Sequence, residues 1–226
     1  MGTGRVLIEA FNRQCRDLKE SSAKFIRTVG NDNSPFALLL GLVNLALNQV
    51  DLSPLFLKDS LLEVDDLTYD VVVSGIPFGK PSGTQNFEYK VLGYPSTLES
   101  MFLKHTMDKL AKGGRAALII PDGILFNSSK ELVSLRKNLF NDFNFHTILS
   151  LPSSVLAPYA NVKVSVIFFD NTSQRDDIWY YKLDPEFRFS KKNRVSINLF
   201  EEFIENFKLR KESSQSLLIS RSSIFE

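Results

Sequence analysis

The chain has 226 residues, 43% of them apolar and 23% charged, with a formal net charge of +1. That composition supports a real core in one large domain, or one domain with an extension, and excludes binding to nucleic acid or anionic membrane through net charge alone. The single cysteine, Cys15, excludes an internal disulfide framework and points to a reducing compartment.

The first residues pass from a glycine turn straight into a helical pattern, with Val6, Leu7, Ala10 and Phe11 at helix spacing. "KFIRTVGND" reads as a short strand closed by Asp32. Ser34 followed by Pro35 is a good helix start, a capping hydroxyl and then proline at the first helical position. The helix to about Val50 is apolar almost all round, which predicts burial on more than one side. Its apolar window is shorter than the roughly 18 residues of a spanning helix. No basic-then-apolar leader opens the chain, so the expectation is a cytoplasmic protein with no membrane contact.

"PLFLKDS" is a further strand candidate with Asp59 at its end, and "YDVVVSG" is predicted to be a fully buried strand. Residues 79–95 are predicted as a long loop. "STLESMFLKHTMDKLAKGG" reads as a helix closed by Gly113 and Gly114, then "RAALIIP" as a strand and "SKELVSLRKNLFND" as a helix. "FHTILSLP" and "VKVSVIFFD" have no helix between them and are predicted to pair antiparallel at one edge. Beyond Asp170 come a linker, a short strand in "IWYYKLD", a basic irregular stretch and a helix in "NLFEEFIENFKLRK". The alternation implies an α/β fold, a mostly parallel sheet with helices on both faces.

Ligands of open α/β sheets bind beyond the carboxyl ends of the strands. Four features fall there. Gly2 and Gly4 flank Thr3 ahead of the first helix, where glycines let a ligand approach the backbone. Asp32 is placed to accept from ribose hydroxyls, and Asp59 to accept from an amine. Gly75-Ile76-Pro77-Phe78 closes the fourth strand. Singly, each has a plain structural reading: a turn, a helix cap, a core aromatic. On successive strand ends they point together to a nucleoside-bearing cofactor beneath a loop that handles a planar substrate.

Taken together, "GTGRVLIEA", "GNDNSPFALLLGLVNLALN", "DVVVSGIPFGK", "FLKHTMDKLAKGGRAALIIPDGILF" and "ILSLPSSVLAPYANVKVSVIFFD" resemble the modification subunit of type I restriction–modification systems. The resemblance runs almost the whole chain, and Pro121 to Phe126 narrows it most. It implies a Rossmann-like class I S-adenosylmethionine-dependent methyltransferase, with a catalytic domain over residues 1–170 and a C-terminal extension over 171–226. It also implies methylation of the exocyclic amine of a flipped adenine in DNA, a partner specificity subunit and a possible restriction subunit. Gly2, Thr3 and Gly4 would lie against the methionine part of the cofactor, Asp32 against the ribose and Asp59 against the adenine amine. Gly75 to Phe78 would receive the target base, with Phe78 stacked on its face.

Two departures stand out. The family pattern is Asn-Pro-Pro-Phe or Tyr, whose asparagine oxygen and following carbonyl accept from the amine. Here Gly75 has no side chain and Ile76 replaces a rigid proline. Losing one preorganised polar contact costs about 10²–10³ in rate, so the expectation is a weak or dead catalyst. A non-catalytic scaffold or decayed remnant is one alternative, and an RNA or protein glutamine methyltransferase is another. The second departure lies at the front. Met1 stands directly before Gly2, where the family has a central strand. The expectation is a truncated product or a fragment completed by another chain, with strands beside the gap either unpaired or closed together.

"KKNR" and "KLRK" are candidate phosphate contacts, although solvated surface is the simpler reading beside Glu201, Glu202 and Glu205. Lys80 follows the loop and reads equally as a phosphate contact or a solvated lysine. His105 and His146 lack ligand spacing, so no metal site is assigned.

Overall fold

The structure is a computed structural model, which describes residues 1–16, 26–50, 55–62, 66–80, 97–153, 155–156, 160, 162–174, 177–183, 187 and 195–222. The chain divides into two compact units, the first carrying Met1–Asp66 and the second beginning at Leu67.

In the first unit, α1 (Arg5–Arg16) starts directly from the glycine turn. Strand β1 (Gly30–Asp32) follows and ends at Asp32, shorter than the predicted span. Ser34 then caps α2 (Pro35–Leu47), its hydroxyl accepting from the Ala37 amide at 3.3 Å, with Pro35 opening the first turn. Strand β2 (Leu55–Leu57) pairs parallel with β1, setting Gly30 opposite Leu55 and Asp32 opposite Leu57. Ile8, Leu45 and Val50 form the small core here. The predicted two-sided burial of α2 is not met. Only Gly41 and Leu45 are buried, while Phe36, Leu39, Val43 and Leu47 are exposed. The helix meets α1, β1 and β2 along one stripe, and the described residues offer its remaining apolar face no cover.

The second unit is built on six strands: β3 (Tyr69–Gly75), β4 (Leu110–Pro121), β5 (Asn144–Ser150), β6 (Val164–Asp170), β7 (Asp177–Lys182) and β8 (Ser216–Ser220). Their order across the sheet is β3-β4-β6-β5-β7-β8. The pairings make β3, β4, β5 and β7 run one way and β6 and β8 the other. The predicted β5–β6 hairpin is antiparallel, with β6 lying between β4 and β5, and the outermost pair β7–β8 is antiparallel as well. Strand β3 matches its predicted bounds but not its predicted burial. Its residues are half-buried or exposed, none of them fully buried, and Val73 is 42% exposed. The cause is position: β3 ends the sheet, so only one of its edges is paired among the described residues. β1 and β2 form a separate sheet.

Helix α3 (Leu98–Lys109) ends before the glycines expected to close it. Gly113 and Gly114 lie inside β4, where the register with β3 jumps from Tyr69–Leu110 to Val71–Arg115. Gly113 takes a φ of 80°, and a β-carbon at Gly114 would come within 2.9 Å of the carbonyls of Ala111 and Tyr69. The glycines thus serve a bulge, which demands the same backbone freedom as a helix cap. The short turn α4 (Gly123–Phe126) leads to α5 (Lys130–Asp142), capped by Ser129, whose hydroxyl accepts from Leu132. The predicted C-terminal helix is shorter, a 3-10 turn at Ile197–Phe200 followed by α6 (Glu201–Asn206). One core joins α3, α5 and the sheet through Leu103, Leu118, Leu135 and Phe169. A second gathers Trp179, Tyr181 and Phe203, with Trp179 stacked on Phe203 at 5.4 Å. Among the described residues, no helix is long and apolar enough to cross a membrane.

Candidate active site

The first unit brings its candidates to one end of the β1–β2 sheet. Gly2 and Gly4 take left-handed φ angles of 57° and 74°, turning the chain back on itself ahead of α1. The turn is held by Asp32. One carboxylate oxygen accepts from the Gly2 amide at 2.7 Å and lies 3.3 Å from the Met1 ammonium, and the other accepts from the Ser34 amide at 3.0 Å. Partial burial raises the Asp32 carboxyl, but the Ser34 and Gly2 amides and the N-terminal ammonium outweigh it and hold the group below its ordinary value. Thr3 is fixed through its carbonyl, which accepts from Asn44 at 2.9 Å.

Asp59 follows two residues after β2. The preceding Lys58 amide donates to the Asp32 carbonyl at 3.1 Å, so both acidic residues sit at the same strand ends. Asp59 itself caps the next turn, accepting from Leu61 at 2.9 Å. Beside them the Asn31 amide group donates to the Ser60 hydroxyl at 3.3 Å, while its Oδ1 is buried with no hydrogen-bond donor. Gly41 was missed by sequence reasoning. A β-carbon there would strike the Met1 side chain and come within 3.1 Å of the Gly2 carbonyl, so any larger residue at position 41 displaces Met1 and presses on the turn. Its sole signal was a glycine inside a leucine-rich helix.

In the second unit, Gly75 ends β3 opposite Ile119 of β4, and Ile76, Pro77 and Phe78 follow at the carboxyl rim. Gly75 and Pro77 are exposed. Ile76 is only 4% exposed and is buried with Leu103, Met107 and Leu118. Phe78 is half-buried and touches both cores. Gly79, at a φ of 105°, closes the loop onto α3. Its amide donates to the Glu99 carboxylate at 2.9 Å and its carbonyl accepts from Leu98 at 2.8 Å. Lys80 is exposed. Residues 81–95 of the predicted loop, and the "KKNR" stretch, lie outside the described residues.

On the same rim, β4 runs out into Asp122. Its carboxylate accepts from Ser165 at 2.7 Å and lies 3.3 Å from the Lys163 ammonium. Sequence reasoning gave neither Glu99 nor Asp122 a role, because their partners come from other elements.

The N-6 DNA Methylase family matches residues 1–225. The chain belongs to that family. It is 28% identical over 166 residues to the EcoEI type I restriction enzyme methylase subunit of Escherichia coli, covering 67% of this chain and 33% of that relative. It is 36% identical over 124 residues to the StySPI methylase subunit of Salmonella potsdam, covering 50% of this chain and 23% of that relative. A solved modification subunit from Vibrio vulnificus YJ016 superposes with a TM-score of 0.84 at 26% identity, over 98% of this chain and 50% of that one. This N-6 DNA methylase chain therefore spans a third or less of those two curated relatives and half of the solved one. Its fold is that of the class I methyltransferases.

Proposed function

We propose that this chain is the catalytic part of an adenine-specific DNA methyltransferase subunit of a type I restriction–modification system, with catalysis impaired at Gly75. The observation that carries the reading is the Gly75–Phe78 loop at the carboxyl end of β3, in a chain matched by an N-6 DNA methylase family over residues 1–225.

The first unit fits S-adenosylmethionine. Nothing lies within 4 Å of a β-carbon position at Gly2, so the turn is open to a ligand. Gly2, Thr3 and Gly4 hold the methionine part. Asp32 accepts from the ribose and Asp59 from the adenine amine, and the donorless Asn31 Oδ1 adds a buried acceptor beside them. When bound, the cofactor supplies an electrophilic methyl group. In the second unit, Gly75 to Phe78 receive a flipped adenine. The Ile76 carbonyl accepts one amine hydrogen, Phe78 offers its ring to the base, and position 75 contributes no acceptor. DNA, a specificity subunit and a restriction subunit are the partners, and the specificity subunit sets the target.

A second reading, a non-catalytic scaffold that keeps the fold, is favoured by Gly75 alone. Calorimetry with S-adenosylmethionine separates the two. Saturable binding at one site supports the methyltransferase reading, and absence of binding supports the scaffold.

A further inference from the structure

Strands β3 and β4 are parallel neighbours, with Gly75 opposite Ile119, so the turn after β4 shares its rim with the Gly75–Phe78 loop. That turn is held from several sides. The Asp122 amide donates to the Lys163 carbonyl at 3.0 Å, and the Asp122 carbonyl accepts from Leu125 at 2.9 Å and Phe126 at 3.1 Å. The Asp122 carboxylate holds Ser165 and Lys163. Ile124 is 2% exposed, and its carbonyl accepts from the Arg136 guanidinium at 2.8 Å. Asn127 then accepts from the Ser129 amide at 2.8 Å, starting α5. Against that fixed backbone, Phe126 is 68% exposed. It is the one exposed aromatic among the described residues of the second unit. Phe78, the ring expected to meet the base, is half-buried against both cores.

A rigid turn holding a bare ring in water beside a base-receiving loop is a stacking platform. We infer that Phe126 stacks on an unpaired nucleobase of the bound DNA, a contact additional to Phe78. The inference rests on the methyltransferase reading, which supplies an unpaired base at this rim. Aromatic stacking suits the task because every base has a π-face, so contact at Phe126 adds affinity without selecting sequence.

The test uses the full chain. In a Phe126→Trp variant the new indole is exposed, while the only native tryptophan, Trp179, is fully buried and gives a constant background. The expected result is quenching by a single-stranded oligodeoxyadenylate and none by an abasic strand of equal length. Phe126→Ala should weaken oligodeoxyadenylate binding by about five- to 150-fold, with abasic binding and thermal midpoint unchanged, and Phe126→Tyr should restore it. Equal quenching by the abasic strand, or a Phe126→Ala chain that binds as tightly as the parent, overturns the inference. Methyl transfer by a Gly75→Asn chain tests the underlying reading separately. Transfer that Phe126→Ala leaves intact sinks the stacking role alone, whereas a chain that binds neither strand and transfers nothing sinks both.

Discussion

Gly75 and Ile119 stand opposite each other on adjacent parallel strands, and a β-carbon at position 75 would lie 3.8 Å from Ile119 Cδ1. That is an ordinary van der Waals contact. Nor does Gly75 take a left-handed φ, so neither crowding nor backbone conformation demands glycine there. The β-carbon of an asparagine is therefore accommodated. Gly75→Asn should raise adenine methylation by about 10²–10³, read as labelled methyl transferred to duplex DNA in the presence of a specificity subunit. No gain, with S-adenosylmethionine binding intact, would count against an acceptor role for position 75.

Ile76 behaves differently from its neighbour. Its buried side chain anchors the loop in the core, replacing with packing some of the rigidity a proline ring would give. Changing Ile76 to Pro removes part of that side chain and leaves a cavity. The expected cost is about 1–3 kcal/mol, a fall of several degrees in thermal midpoint for a domain of this size. The Gly75→Asn/Ile76→Pro double variant should consequently be less stable than Gly75→Asn alone. Calorimetric midpoints of the three chains decide it, and equal midpoints would show that Ile76 carries no packing role.

Local chemistry was readable from sequence where the cause was local. Ser34 caps its helix because its hydroxyl reaches the amide three residues on, and β3 keeps its predicted bounds because its β-branched run ends at a glycine. What a residue faces was not readable. The exposure of Val73 and Phe36 follows from where β3 and α2 lie in their units, which residue type does not encode. Strand β8 went unread because its five residues begin and end in serine and acquire meaning only beside β7. At the candidate site, Asp32 was legible as a strand end. Its clasp on Gly2 was not, since 30 residues separate the two.

That clasp carries a pH dependence. The folded-state pKa of Asp32 is lowered, so its stabilising effect is fully present above the ordinary carboxylate range near pH 4 and is lost as pH falls through the lower folded value. Denaturant midpoints should be insensitive to this group between pH 7 and pH 5 and decline below about pH 4. An Asp32→Asn chain should show a lower midpoint at pH 7 and a shallower acid decline. Identical profiles for the two chains would exclude a stabilising role for the carboxylate.

Gly41 offers a test of the turn that avoids every proposed ligand contact. In an isolated helix, alanine is favoured over glycine by about 1 kcal/mol, so propensity predicts that Gly41→Ala stabilises α2. Packing predicts the opposite. The added methyl meets the Met1 side chain, which can move, and the Gly2 carbonyl at 3.1 Å, which belongs to a turn fixed by Asp32 and cannot move cheaply. Overpacking of this kind costs about 1–3 kcal/mol, enough to outweigh the helix gain across most of that range. The expected result is a chain of equal or lower stability whose Gly2–Gly4 turn is displaced, with S-adenosylmethionine affinity reduced about tenfold, an effect of roughly 1.4 kcal/mol. Calorimetric titration of the parent and Gly41→Ala chains measures it. A more stable variant with unchanged affinity would mean that the turn yields freely and that its conformation does not govern cofactor binding.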